Sequence, residues 1–234
     1  MLKRLRSFLS LAALLLCFGQ QGFSQNDSLL FIQGHKAALK GNFHVALHNF
    51  DKIIAHKPKS ENAWRDRGSC YMDMGKYDQA LVDYNTAIQL DSNDALAFEN
   101  RGILYTLMKM QTEALTDFKK VIQLDSCCTS AYCSYGSVMN GMKKYDEALT
   151  YFAKAAQLAA ASDRANCYCE MGHTYLLKGS YKKAVHHLSL AITIDPKFAD
   201  AYKYRAEAHK ELQNMLAYKE DTDKYIKLSK KSKK

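Results

Sequence analysis

Seven cysteines are the residues of this 234-residue chain best suited to chemistry. Cys17 stands alone near the start, Cys70 follows, and Cys127, Cys128, Cys133, Cys167 and Cys169 form a group. Thiols in this number bridge as disulfides, hold zinc, act as exchange nucleophiles, or pack as small hydrophobes. Zinc is disfavoured, because no Cys-x-x-Cys pair recurs at partner spacing. Buried packing is the leading reading, a disulfide inside the group the next, and thiol exchange a weaker alternative. His44 and His48 stand four apart, a spacing that holds a metal on one helix face, but no third ligand accompanies them. His186 and His187 are adjacent and point apart. Asp83 and Asp117 recur at one register and read as solvent-facing carboxylates, not as a paired acid and base. There is no glycine-rich phosphate loop, no His-Glu-x-x-His and no Gly-x-Ser-x-Gly elbow, so no catalytic residue, metal or cofactor is assigned.

The elements carrying these residues follow a period. Gly34, Gly68, Gly102, Gly136 and Gly172 are 34, 34, 34 and 36 residues apart. A period of this length marks an array of units, none of which buries its apolar face alone. Twelve positions after each glycine stands Ala46, Ala80, Ala114, Ala148 or Ala184. Four further on come Phe50, Tyr84, Phe118, Phe152 and Leu188, then after three more Ile53, Ala87, Val121, Ala155 and Ala191. Steps of four and three lie on one helix face. A preceding helix carries Leu30, Trp64, Phe98, Tyr132 and Tyr168 before the glycine, and Tyr71, Tyr105, Met139 and Tyr175 after it. Between the two helices the turns Gly41-Asn42-Phe43, Gly75-Lys76-Tyr77 and Gly179-Ser180-Tyr181 suit a left-handed helix end. Pro58 and Pro196 fall just beyond the second helix, where the helix has to stop. Each mid-helix glycine costs about 1 kcal/mol against alanine. Its recurrence at one register implies close approach of the paired helix.

The pattern Trp64…Gly68…Tyr71…Gly75…Tyr77…Ala80…Tyr84…Ala87 resembles the tetratricopeptide repeat closely. The resemblance implies an all-α fold, an α-solenoid of stacked antiparallel helix hairpins. Its units are 27–60, 61–94, 95–128, 129–162 and 165–198, with two residues inserted around Ala161–Arg164. Residues 199–228 read as a degenerate sixth repeat that caps the array, and 229–234 as a basic tail. In that family the first helices line a concave groove holding an extended peptide or a partner helix. By position, the second unit would contribute Asn62, Arg65, Ser69, Met72 and Asp73, and the third Glu99, Asn100, Ile103 and Leu107. The fourth would add Cys133, Ser137 and Asn140, and the fifth Asn166, Cys169, His173 and Leu176. Asparagines pair with both backbone groups of an extended segment, while Ile103, Leu107 and Leu176 suit apolar side chains. A subfamily that grips chaperone C-termini uses a lysine–asparagine–arginine clamp. Asn100 matches its middle residue, but Arg65, Ser69, Ser130 and Ser134 replace the rest, so that ligand is not expected. By register, Cys133 and Cys169 hold equivalent positions on neighbouring first helices and are expected to lie near each other.

The net charge of +9 sits at the ends. Lys3, Arg4 and Arg6 open the chain, and Lys224, Lys227, Lys230, Lys231, Lys233 and Lys234 close it. The remaining 24 basic residues balance the 24 acidic ones. A neutral array excludes nucleic acid as its ligand. The lysine tail is a solvated end or a weak contact with an anionic membrane surface. The apolar run from Phe8 to Gly19 and the small residues Gly22 and Ser24 read as an export signal over 1–24, cleaved after Ser24. A retained anchor is the alternative; Leu16 before Cys17 argues against lipidation. Periplasm or cell envelope, or secretion, is the expected location. The expected role is a non-enzymatic scaffold for a protein or peptide partner in assembly of an envelope or secreted complex. Self-association into a homo-oligomer is the alternative.

Overall fold

The computed structural model describes residues 25–231, so the export signal with Cys17 and the tail residues 232–234 lie outside the described residues. Among the described residues the chain forms twelve α-helices and no strand. It divides into two compact units, one ending at Leu104 and the other beginning at Tyr105.

The first unit holds α1 (Gln25–Leu39), α2 (Phe43–His56), α3 (Glu61–Asp73), α4 (Tyr77–Leu90) and most of α5 (Ala95–Leu107). Helix α1 packs on α2, α2 on α3 and α3 on α4. Ala46, Phe50 and Ile53, the four-and-three stripe of α2, are buried with Phe31 and Ala37 of α1 and Ala63 and Cys70 of α3. Burying each such aromatic or aliphatic side chain contributes about 1.5–3 kcal/mol. The second unit holds α6 (Gln111–Leu124), α7 (Thr129–Gly141), α8 (Tyr145–Leu158), α9 (Arg164–Leu177), α10 (Tyr181–Ile194), α11 (Ala199–Glu211) and α12 (Met215–Lys231). Each of these also packs on its successor, and α9 further touches α7 and α11. The sixth hairpin, α11 with α12, is complete. Its second helix runs past the boundary expected at 228, so residues 229–231 of the expected tail are helical.

The recurring glycines let the second helix of each hairpin lie against the first. A Cβ on Gly34 would meet the Phe50 ring at 2.9 Å, one on Gly136 the Phe152 ring at 2.8 Å, and one on Gly172 the Leu188 Cγ at 2.5 Å. The turns that join these helices close by one hydrogen-bond scheme. In the first, Gly41 N–H donates to Ala38 O and Asn42 N–H to Ala37 O, both at 2.9 Å. In another, Lys143 N–H donates to Asn140 O and Lys144 N–H to Met139 O, again both at 2.9 Å. The second residue past the first helix is therefore left-handed in every hairpin. Glycine fills it at positions 41, 75 and 179, but Lys109, Lys143 and Gln213 take φ of 61°, 60° and 58°. A Cβ makes that conformation unfavourable by about 1–2 kcal/mol. Lys143→Gly is therefore expected to stabilise the chain by about 1 kcal/mol, raising the midpoint of thermal unfolding by roughly 2–4 °C. A lowered midpoint would show that the lysine contributes more than its backbone strain removes.

Asp83 and Asp117, expected to face solvent, are each only 2 % exposed. For Asp83 the reason is Arg67, sixteen residues earlier. Its Nε donates to Asp83 Oδ2 and its Nη2 to Oδ1, both at 2.8 Å, and its Nη1 reaches Asp51 at 2.7 Å. The same fork recurs in the last hairpin, where Arg205 grips Asp221 at 2.8 and 2.7 Å and also donates to Ser189 Oγ. In the fourth repeat this place is taken by Tyr135 stacked on Tyr151, ring centroids 4.0 Å apart. In these three hairpins the paired positions thus carry either a forked ion pair or an aromatic stack.

Candidate functional site

The candidate surfaces lie on the first helices, and within each unit a staggered ladder joins neighbouring first helices. Within the first unit's own ladder, His35 Nε2 of α1 lies 3.1 Å from Asp66 Oδ2 of α3. One repeat on, Asn100 of α5 donates to Ser69 Oγ of α3 at 3.4 Å. In the second unit His173 of α9 stacks on Tyr204 of α11, centroids 4.2 Å apart and planes within 10°. The partner on the following helix always sits a few positions earlier in register, because neighbouring first helices are offset along their axes.

Arg65 anchors the first-unit face. Its Nη1 donates to Asp94 Oδ2 at 2.7 Å, while Asp94 Oδ1 accepts the Ala97 N–H and caps α5. Its Nε donates to Asp66 Oδ1 at 3.3 Å. Burial pushes the Asp66 carboxyl up, but Arg65 and His35 outweigh it and hold it below the ordinary carboxylate range. Burial likewise opposes the charge on His35, and Asp66 overcomes it, leaving that imidazole more basic than usual. Ser69 Oγ donates to Arg65 O at 3.1 Å and accepts from Tyr84 Oη at 3.1 Å as well as from Asn100, so its capacity is filled. Asn100, Glu99, Ile103 and Asn62 are half-buried and Asp73 is exposed. Asn62 Nδ2 is held by Glu61 at 2.8 Å. Met72, assigned to the groove by position, is 5 % exposed: it turns into the hairpin, where Tyr84 Oη meets its sulfur at 3.9 Å.

In the second unit Leu107 and Ser137 are exposed, and Ser137 Oγ donates to Cys133 O at 3.0 Å. Asn140 Nδ2 donates to Thr174 Oγ1 at 2.7 Å, and that hydroxyl donates to Glu170 O. The Asn140 Oδ1 is buried with no hydrogen-bond partner. Asn166 and His173 are half-exposed, and Leu176 packs against the α10–α11 core. Burial lowers the basicity of His173, which favours the neutral ring that lies flat on Tyr204. Cys169, another expected groove residue, is 2 % exposed and belongs to that same core. It is also not the neighbour of Cys133: the Cys133 sulfur faces Cys167 instead, at 3.8 Å.

Sequence reasoning missed Asp66, Glu170 and Tyr204. All three share the register of Asn100, two residues before the repeat glycine, so that choice pointed to them. Burial raises the Glu170 carboxyl and Asp200 adds to the rise, with no basic group opposing it. Elsewhere in this unit, a cleft of about 350 Å³ opens between α8 and α9, lined by Ala153, Ala156, Gln157, Arg164, Tyr168 and Met171. Met215 and Leu216, exposed at the start of α12, are the surface on which self-association would rest. Among the described residues no three His, Cys, Asp or Glu side chains converge to hold a metal, and no helix is long and apolar enough to cross a membrane. These faces offer amides, hydroxyls, a desolvated carboxylate and stacked rings, which suit recognition of a polypeptide.

Residues 68–109 match the family profile described as TPR repeat, and residues 127–197 the one described as tetratricopeptide repeat. The chain is a tetratricopeptide repeat protein. No curated protein sequence matches it. Among solved structures the array resembles PilW, described as a widely conserved type IV pilus biogenesis factor. The TM-score is 0.77 at 18 % identity, covering 85 % of this chain and 91 % of that one. MamA protein aligns with a TM-score of 0.63 at 22 % identity over 76 % of this chain and 96 % of its own. YrrB, described as a TPR protein with an unusual peptide-binding site, gives 0.59 at 22 % identity over 76 % of this chain and 91 % of that one. At these identities the likeness is one of fold.

Proposed function

We propose that this tetratricopeptide array is a non-catalytic scaffold that holds an extended polypeptide segment or partner helix against its first-helix faces. The observation that carries the reading is the set of half-exposed polar groups on those faces that the hydrophobic cores leave unused: Asn100 in the first unit, Asn166 and Glu170 in the second. The absence of a nucleophile–base pair in the sequence favours binding over chemistry, and tetratricopeptide folds generally serve interaction. YrrB lends support as a relative in fold with a peptide-binding site. The N-terminal charge and apolar run, with the likeness to PilW, support a place in assembly of an envelope or secreted complex.

The test is selection of peptides from a random displayed library on the purified protein, followed by titration of the selected sequence. Asn166→Ala with Glu170→Gln is expected to weaken binding about tenfold, the loss of one or two hydrogen bonds, while Thr150→Ala on α8 leaves it unchanged. Equal affinity for all three proteins, or failure to select any peptide, would refute the assignment.

A further inference from the structure

Repeats four and five meet at the one place where the 34-residue beat breaks, across the turn between Leu158 and Arg164. There Cys133 of α7 and Cys167 of α9 bring their sulfurs to 3.8 Å. The two helices are also joined by the bond from Asn140 to Thr174, which fixes their spacing one turn or more away. We propose that Cys133 and Cys167 are a thiol–disulfide pair, which an external disulfide oxidises to a covalent staple between α7 and α9.

The surroundings select this pair over the others. Cys167 is 1 % exposed, packed with Ala155, Ala156 and Ala159 and flanked by Tyr132 and Tyr168. Cys133 is half-buried and borders the same cluster. Cys169 is buried on the far side, in the α10–α11 core. Cys70 lies in the first unit's core, Cys127 is exposed in the turn before α7, and the Cys128 sulfur meets Ser130 Oγ at 3.2 Å. A disulfide needs its sulfurs at about 2.05 Å, so the two must approach by a further ~1.8 Å.

The reaction balances with a disulfide as oxidant. The Cys133 thiolate, the accessible member, attacks one sulfur of the external disulfide, and the other half departs as a thiolate. Cys167 then attacks the Cys133 sulfur, forming the staple and expelling the second half. The two protein thiols give up two protons and two electrons, and the external disulfide becomes two thiols. Accessibility and not acidity sets this order, because the hydrogen bond between the sulfurs pushes the Cys133 thiol up and draws the Cys167 thiol down. The readily ionised sulfur is thus the buried one. That is the reverse of an exchange enzyme, where an exposed thiol has the lowered pKa.

The full chain, reduced and folded, is treated with glutathione disulfide, alkylated and digested with trypsin and chymotrypsin. Chymotrypsin cuts after Tyr132 and Tyr168, which separates Cys133 from Cys128 and Cys167 from Cys169. The expected result is one linked peptide pair, Cys133 to Cys167, two hydrogens lighter than its thiols, with Cys70 and Cys169 still alkylated after unfolding. The midpoint of thermal unfolding should rise by several degrees and return with dithiothreitol. Cys133→Ser is expected to leave Cys167 alkylatable, and Cys167→Ala to leave a lasting glutathione adduct on Cys133. A bridge to Cys128 or Cys169, a lasting glutathione adduct on Cys133 in the unsubstituted chain, or no loss of free thiols would overturn the proposal. So would the same pair forming equally well in urea, since the fold would then not be what selects it.

Discussion

Arg67→Met is expected to destabilise the chain by about 3–5 kcal/mol at neutral pH, because it leaves the buried Asp83 carboxylate without its forked partner. Urea unfolding with an unchanged slope checks the magnitude. The double variant Arg67→Met with Asp83→Leu should recover most of the loss, since two apolar groups need no partner. The pH dependence carries a further test. Burial already raises the Asp83 carboxyl above the ordinary range, more than the Arg67 bonds lower it, whereas Arg67 is held more firmly protonated by Asp83 and Asp51. The geometry reconciles the two: a guanidinium forked at 2.8 Å onto both oxygens is a charged pair at neutral pH. A raised carboxyl favours the folded state once it is protonated. Its contribution is therefore largest below the unfolded carboxylate value and fades as pH rises through the raised one. Removing Arg67 raises that carboxyl further. The deficit of Arg67→Met should be full at neutral pH and shrink on acidification toward pH ~4, near the ordinary carboxylate value. A deficit independent of pH would mean that Arg67 acts through packing alone.

Phe152→Ala is the other large effect, about 3–5 kcal/mol, for a fully buried ring at the centre of the fourth hairpin. Its sharper use is in a cycle with Gly136. In the native background Gly136→Ala forces a methyl to 2.8 Å from that ring. Overpacking of this kind costs about 1–3 kcal/mol, against roughly 1 kcal/mol gained by replacing a mid-helix glycine. With Phe152 already cut to alanine the obstruction is gone, and Gly136→Ala should stabilise by about 1 kcal/mol. The sign of one substitution thus reverses with the residue opposite it. Two additive effects would show that the glycine is retained for some reason other than the approach of α8.

The helices and their pairing were legible because the apolar stripe, the repeat glycine and the two prolines each act through one local cause. Pro58 and Pro196 fall two residues beyond the ends of α2 and α10, and the side chain that packs on Gly34, Gly68, Gly136 or Gly172 stands where the period puts it. What sequence missed depends on contacts between distant positions. A lysine or glutamine carries no turn signature, so the left-handed Lys109, Lys143 and Gln213 were invisible, although their places in the period matched Gly41, Gly75 and Gly179. Asp83 looked solvated until its partner sixteen residues back was counted. Met72 and Cys169 went to the groove because neighbouring positions on a helix differ by only about 100° of rotation, and packing decides which turns inward. Cys169 was matched to Cys133 by register, but first helices meet with a stagger, as His35 with Asp66 and His173 with Tyr204 show, and the stagger delivers Cys167.

The most direct test of the scaffold reading places a photocrosslinking benzoylphenylalanine at single exposed sites and irradiates the protein in its native host. Asp73 and Ser137 lie on first helices, Thr116 and Thr150 on second helices. Adducts of one protein partner are predicted from Asp73 or Ser137 and not from Thr116 or Thr150. Adducts arising from the second-helix sites alone, or from none of the four, would contradict recognition by the first-helix faces.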